Sequence, residues 1–221
     1  MTFEFESALD SFLDSMEDAD GITVTLREKI SPRAPVDYVE SVQELEGINE
    51  NIPSGIAGNY LMESERIHIG WFRDDYGLAG EFAVKSLHSC LASENLTFED
   101  SRLTAEQREI MGELKIFEET PGNGRMTGLR IPDSAAPPEI WLYDISQPRM
   151  EKLDIGFTAY LDALLTTKGV PGWQHLFVEN DLRSDEFRST VNDLKEMLNY
   201  LPQLFPEHDY DALRDRLEAR L

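Results

Sequence analysis

The sequence predicts an α+β fold: a twisted antiparallel β-sheet meander covered by helices, with an amino-terminal helix and a carboxyl-terminal helical extension. Three observations lead there. Period-two segments joined by turn residues run from Ile67 to Ile145, the pattern of consecutive pleated strands. Apolar residues recur at helical spacing at both ends of the chain. One segment, Glu139 to Ile145, is apolar on both faces, which requires cover on both sides of a sheet.

At the start, Phe5, Ala8, Leu9, Phe12, Leu13 and Met16 form one stripe with acids between them, an amphipathic helix that Asp20-Gly21 stops. Ile22, Val24 and Leu26 then alternate with Thr23 and Thr25 as a half-buried strand. A proline-bearing link from Ser31 to Pro35 leads to a helix containing Tyr38, Val39, Val42 and Leu45, closed by Gly47. A short helix over Ile56 to Met62 follows. Ile67, Ile69 and Trp71 share a strand face, Asp74-Asp75-Tyr76-Gly77 turns the chain, and Leu78, Gly80, Phe82 and Val84 return as a hairpin.

A helix over Ser86 to Leu91 comes next, and Thr104 with Gln107 has the spacing of a capping box for a helix ending near Gly112. Three meander strands follow over Leu114 to Glu118, Met126 to Ile131 and Glu139 to Ile145, the first connection carrying the turn pair Asn123-Gly124. Trp141, Tyr143 and Ile145 occupy one face of the last strand, Ile140 and Leu142 the other. Phe157, Tyr160, Leu161, Leu164 and Leu165 make a helix closed by Gly169. A second stripe, Phe187, Val191, Leu194, Leu198 and Leu201, is expected to be interrupted by Pro202 and Pro206. Tyr210, Leu213 and Leu217 begin a final helix whose arginines, Arg214, Arg216 and Arg220, suit a helix carboxyl terminus.

Length of 221 residues and 41% hydrophobic content support one large domain, read as residues 1–221 with a helical extension over 183–221. No apolar run approaches the ~20 residues that span a bilayer, and the start is acidic where a signal peptide is basic, so the expected compartment is the cytoplasm. Cys90 is the single cysteine, which excludes an intrachain disulfide and predicts a buried thiol. Charge is the loudest signal: 43 Asp and Glu against 20 Lys and Arg, formally −23. Such a surface repels nucleic acid and anionic lipid and attracts basic proteins.

The residues offer no constellation for catalysis, metal or cofactor. His68, His88, His175 and His208 are scattered, with no i, i+4 pair to hold zinc. No serine sits in a nucleophile elbow, and Gly122, Gly124 and Gly128 lead into a strand, not into the helix start that a phosphate needs. Adjacent acids such as Asp74-Asp75, Glu118-Glu119 and the Glu63, Glu65 pair read as solvated surface or as a patch for a partner's Lys and Arg. Asp74, Asp75, Glu118, Glu119 and Trp173 are the partner-binding candidates, chosen for loop placement, charge and aromatic character. An enzyme using paired carboxylates would need two acids facing each other in a pocket.

Ile52-Pro53 before Tyr60, the pair "RIHIGWF" and "GLAGEF", then "ELKIFEETPGNG", "EIWLYDIS" and "FTAYLDALL", in that order, resemble the SUKH superfamily of Smi/Knr-like proteins. The resemblance covers residues 36–177 and is carried most by Gly80-Glu81-Phe82, the strand with Trp141 and Tyr143, and the helix with Phe157, Tyr160 and Leu161. Where many members carry an Asn-Gly-type turn after the proline-containing helix, this chain has Glu63-Ser64-Glu65-Arg66. The resemblance implies bacterial immunity proteins or cell-wall-assembly regulators. The expected function is therefore an acidic, non-catalytic protein that neutralises a toxin, a nuclease among the candidates, by direct binding. The alternative is a regulator or scaffold for a cytosolic enzyme, and a toxin-like neighbouring gene separates the two.

Overall fold

The computed structural model describes residues 4–32, 62–75, 77–93, 102–132, 137–146 and 149–221. The fold is α+β. Among the described residues seven strands, β1 (Ile22–Ile30), β2 (Arg66–Arg73), β3 (Ala79–Lys85), β4 (Lys115–Thr120), β5 (Arg125–Arg130), β6 (Glu139–Asp144) and β7 (Arg149–Lys152), lie side by side in chain order. All pairings are antiparallel. Helices α1 (Glu4–Asp18), α2 (Leu87–Ala92), α3 (Ala105–Glu113), α4 (Phe157–Thr167), α5 (Arg188–Leu204) and α6 (Asp211–Glu218) surround the sheet, with 3-10 turns at Trp173–Phe177 and Asp185–Phe187. Residues 33–35 of the predicted link, the helix expected around Tyr38 to Leu45, that over Ile56 to Met62 apart from its last residue, and Tyr76 of the hairpin turn lie outside the described residues.

The two sheet faces carry separate cores. On one, Ile67, Ile69, Trp71, Phe82, Phe117, Leu129 and Leu142 pack with residues of α1, α4, α5 and α6 in a single cluster. On the other, α3 lays Ile110 and Met111 over Ile116, Tyr143 and Met150. Strand β6 lies between β5 and β7 and feeds both cores, with Ile140 and Leu142 in the first and Tyr143 in the second, as its two apolar faces require. The predicted capping box opens α3: Thr104 Oγ1 accepts from Gln107 N–H while the Gln107 side chain accepts from Thr104 N–H.

The turn 63–66 is tied to α1 by one carboxylate. Glu6 accepts from the backbone N–H of Glu63 at 2.6 Å and from the Ser64 hydroxyl at 2.8 Å, while Lys29 lies 3.4 Å away. A buried acid thus satisfies the donors of a turn that lacks glycine.

Gly80-Glu81-Phe82 owes its residue types to a junction with the end of α4. Any Cβ at position 80 would meet the Lys168 carbonyl oxygen and the Trp71 indole nitrogen, which bond to each other across that space at 2.7 Å. Glu81 N–H donates to the Gly169 carbonyl at 3.1 Å, its carboxylate accepts from Gly122 N–H at 2.8 Å and meets His68 Nε2 at 2.9 Å, and Phe82 is fully buried. On the far side, Lys168 and Gly169 both take positive φ to end α4. Left-handed backbone costs a lysine about 1–2 kcal/mol. Its ammonium is held between the rings of Phe12 and Phe205, 4.7 and 4.3 Å from their centroids, with Nζ 3.1 Å from His208 Nε2.

Two expectations need correction. Pro202 does not interrupt α5, which continues to Leu204. Proline deprives the Leu198 carbonyl of its helical donor, and the Arg214 guanidinium takes that place at 3.0 Å, reaching across from α6. The second correction is β7, where sequence reading placed no strand. Its four residues contribute one buried side chain, Met150, so it carries little hydrophobic pattern.

Candidate functional site

The acidic surplus is not spread evenly. Along α1, Arg27 and Lys29 of β1 face Asp10, Glu17 and Glu6 as ion pairs. Asp14, Asp18 and Asp20 have no such cation among the described residues, and no basic residue occupies the last turn of α1. That turn carries the negative end of the helix dipole, so Asp18 there costs about 0.3–1 kcal/mol.

The β1–β2 register brings a second acidic segment to the same end. Ile22 pairs with Arg73, which carries Asp20 and Gly21 alongside Asp74 and Asp75 of the hairpin turn. All four are exposed. Arg73 forms a fork with Asp75, Nε to Oδ1 at 2.7 Å and Nη2 to Oδ2 at 3.0 Å, and stacks over Tyr200 of α5 at 5.4 Å. The turn is therefore braced from below while Asp74 stands free of ion pairs among the described residues. Asp18, Asp20, Asp74 and Asp75 make a rim of exposed carboxylates, a surface chemically suited to Lys and Arg.

Two of the five sequence-chosen contact residues belong to this rim, Asp74 and Asp75. Glu119 lies on β4 rather than in a loop and is half-exposed, pairing with Lys85 at 2.8 Å and Arg66 at 3.8 Å. Glu118 and Trp173 leave the candidate surface because both are 1% exposed. Trp173 packs between Tyr160, tilted against it, and Phe177, edge-on to it, in the first core. Glu118 turns inward because β4 bulges between Ile116 and Glu118, so Phe117 and Glu118 both face the helices. Strict alternation would have put one of them on the opposite face of the sheet.

Other side chains with chemical potential are engaged in the fold. Asp154 receives both Arg216, at 2.7 Å, and Arg220, at 3.8 Å, beside an open cleft of about 490 Å³ between β7 and α6. His175 is buried between Glu151, Asn180 and Phe187. Burial pushes the Cys90 thiol up to about 12, and its Sγ rests on the Lys115 carbonyl. Among the described residues no group of three His, Cys, Asp or Glu is arranged to hold a metal, and no helix is long and apolar enough to cross a membrane. Comparison with protein-family models, with curated proteins and with solved structures finds no match.

Proposed function

We propose that this chain is an acidic binding protein that neutralises a basic toxin domain by direct contact, as the resemblance to the SUKH superfamily implies, and that its carboxylate rim meets the partner. The supporting observation is the gathering of exposed Asp18, at the carboxyl end of α1, with Asp20, Asp74 and Asp75 of the adjoining turns. Exposed acids gathered at one end of the sheet fit a surface retained for contact. Nucleases bind phosphates through positive surface, so a protein of charge −23 is steered toward them, at up to ~10⁸–10⁹ M⁻¹s⁻¹ in low salt.

The test pairs the purified chain with purified nuclease toxin domains of basic surface in surface-binding kinetics, at low and high salt. Rim charges act on association more than on dissociation. The Asp18→Asn/Asp20→Asn/Asp74→Asn/Asp75→Asn variant should associate about tenfold more slowly at low salt with a nearly unchanged off-rate. Co-expression should also protect cells from the toxin that is bound. Binding whose on-rate ignores both salt and the four substitutions would refute the role of the rim. Absence of binding and protection across the toxin set would refute the function.

A further inference from the structure

Beneath β4 lies a buried cluster of oxygen atoms. Glu118 Oε2, Thr127 Oγ1 and Tyr160 Oη form a triangle whose edges measure 2.9 Å (Glu118 to Thr127), 2.9 Å (Glu118 to Tyr160) and 2.8 Å (Thr127 to Tyr160). Each edge is a good O–H···O distance, and each needs one proton along it. The two hydroxyls supply two protons, and an ionised carboxylate supplies none. With Glu118 charged, two protons serve three edges, so one oxygen pair faces across 2.8–2.9 Å with no proton between them. With Glu118 protonated, Oε2–H donates to Tyr160, Tyr160 to Thr127 and Thr127 back to Oε2, closing the ring.

We propose that the fold is built around a neutral Glu118 carboxylic acid, so that the chain takes up one proton at this residue as it folds and loses stability as rising pH removes that proton. The surroundings agree. Glu118 is fully buried and no ion pair reaches it among the described residues. Burial pushes its carboxyl up to about 7, against the pull of hydrogen bonds from Tyr160, Thr127 and Thr120, with Glu119 adding a like charge. Burial, then Glu118 itself, raises Tyr160 well above its ordinary range, so its hydroxyl remains a donor.

Among the described residues, groups facing the cluster from the neighbouring elements do not supply a counter-charge. From β3 the paired residue is Val84, while Lys85 pairs with Glu119. On β5 and β6, Arg125 and Asp144 are closed on each other at 2.8 Å, with Asp193 of α5 near Arg125. Next to α4, the 3-10 turn brings Trp173 and the amide of Gln174, whose Nε2 donates to Tyr160 at 3.4 Å.

The sign follows from the two protonation states. The folded value lies above the ordinary carboxyl value of 4.5, so the unfolded chain releases the proton first. The unfolding constant should rise about tenfold per pH unit from pH 4.5 to about 7 and then level off, about three-hundredfold in all. The experiment is urea denaturation of the wild-type chain and Glu118→Gln over that range. Glutamine presents N–H donors where the acid presents O–H, so the variant lacks this proton while other carboxylates titrate alike in both proteins. The ratio of the two unfolding constants should change by the stated factor, and a ratio constant with pH overturns the proposal. Should Glu118→Gln fail to fold, carbon-13 NMR of glutamate carboxyls in the wild-type protein decides. One protonated carboxyl at pH 6 supports the assignment, and full ionisation of every glutamate overturns it.

Discussion

Replacing Gly80 with alanine tests the junction that joins sheet to helix end. The added methyl group must occupy the space where Trp71 Nε1 donates to the Lys168 carbonyl, and backbone lies on one side of it. Backbone cannot swing aside as a flexible side chain would, so the Trp71 indole must move or Lys168 must retreat. Loss of one buried hydrogen bond costs about 1 kcal/mol, and overpacking adds about 1–3 kcal/mol. The sum, about 3 kcal/mol, lowers Tm by about 6–12 °C for a chain of this length. Gly112 in α3 is the internal control, since a Cβ there meets nothing within 4 Å among the described residues. Gly112→Ala should stabilise by about 0.5–1 kcal/mol, because alanine is the better helix former. Calorimetry measures both shifts, and near-ultraviolet circular dichroism reports the tryptophan environment. In a Trp71→Phe background, Gly80→Ala should lose the share of its cost that the indole carries, while the clash with the Lys168 carbonyl remains. Equal Tm changes at positions 80 and 112 would refute the steric argument.

Three further outcomes are expected. Arg214→Met should destabilise by about 1.5–3 kcal/mol by orphaning the Leu198 carbonyl, and by less when combined with Pro202→Ala, which restores a helical N–H; a double-mutant cycle in urea reads the coupling. Lys168, lowered to about 8 by burial against a small opposing effect of Glu207, binds its proton less tightly folded than unfolded. Stability should therefore rise between pH 8 and 10.5, by up to about 3 kcal/mol, and Lys168→Met should flatten that rise in denaturation curves. The Cys90 thiol should resist a disulfide reagent in the folded protein and react on unfolding, followed by thiol release at increasing urea.

The sheet was legible in the sequence where the alternation is clean. Ile67, Ile69 and Trp71 against Phe82 and Val84 announce β2 and β3, and the double-sided β6 announces cover on both faces. Helices were legible where stripe and cap agree, as at Thr104 and Gln107. What escaped depends on distant partners. A one-residue bulge at Phe117 leaves composition unchanged and shows only as a change of face, so Glu118 looked like surface. Pro202 looked like a stop because the donor that rescues its helix comes from Arg214, twelve residues along and in another helix. Of the candidate contact residues, Asp74 and Asp75 were visible as a turn, but their alignment with Asp18 and Asp20 is a property of strand register that local sequence does not contain.

The carboxylates of this chain thus divide by the way the fold treats their charge. Glu6 spends its charge on the donors of a turn and on Lys29, and Asp154 spends its charge on two arginines. Glu118 is buried among hydroxyls with no cation, which favours the neutral acid. Asp18, Asp20 and Asp74 are neither buried nor compensated by an ion pair among the described residues, and Asp18 opposes a helix dipole. Solubility alone does not require that last position, because charge placed anywhere on the surface serves it equally. A partner's cations would relieve the repulsion there, and for that reason neutralising Asp18 should stabilise the free chain while slowing its association, a pair of opposite effects that a purely structural acid would not produce.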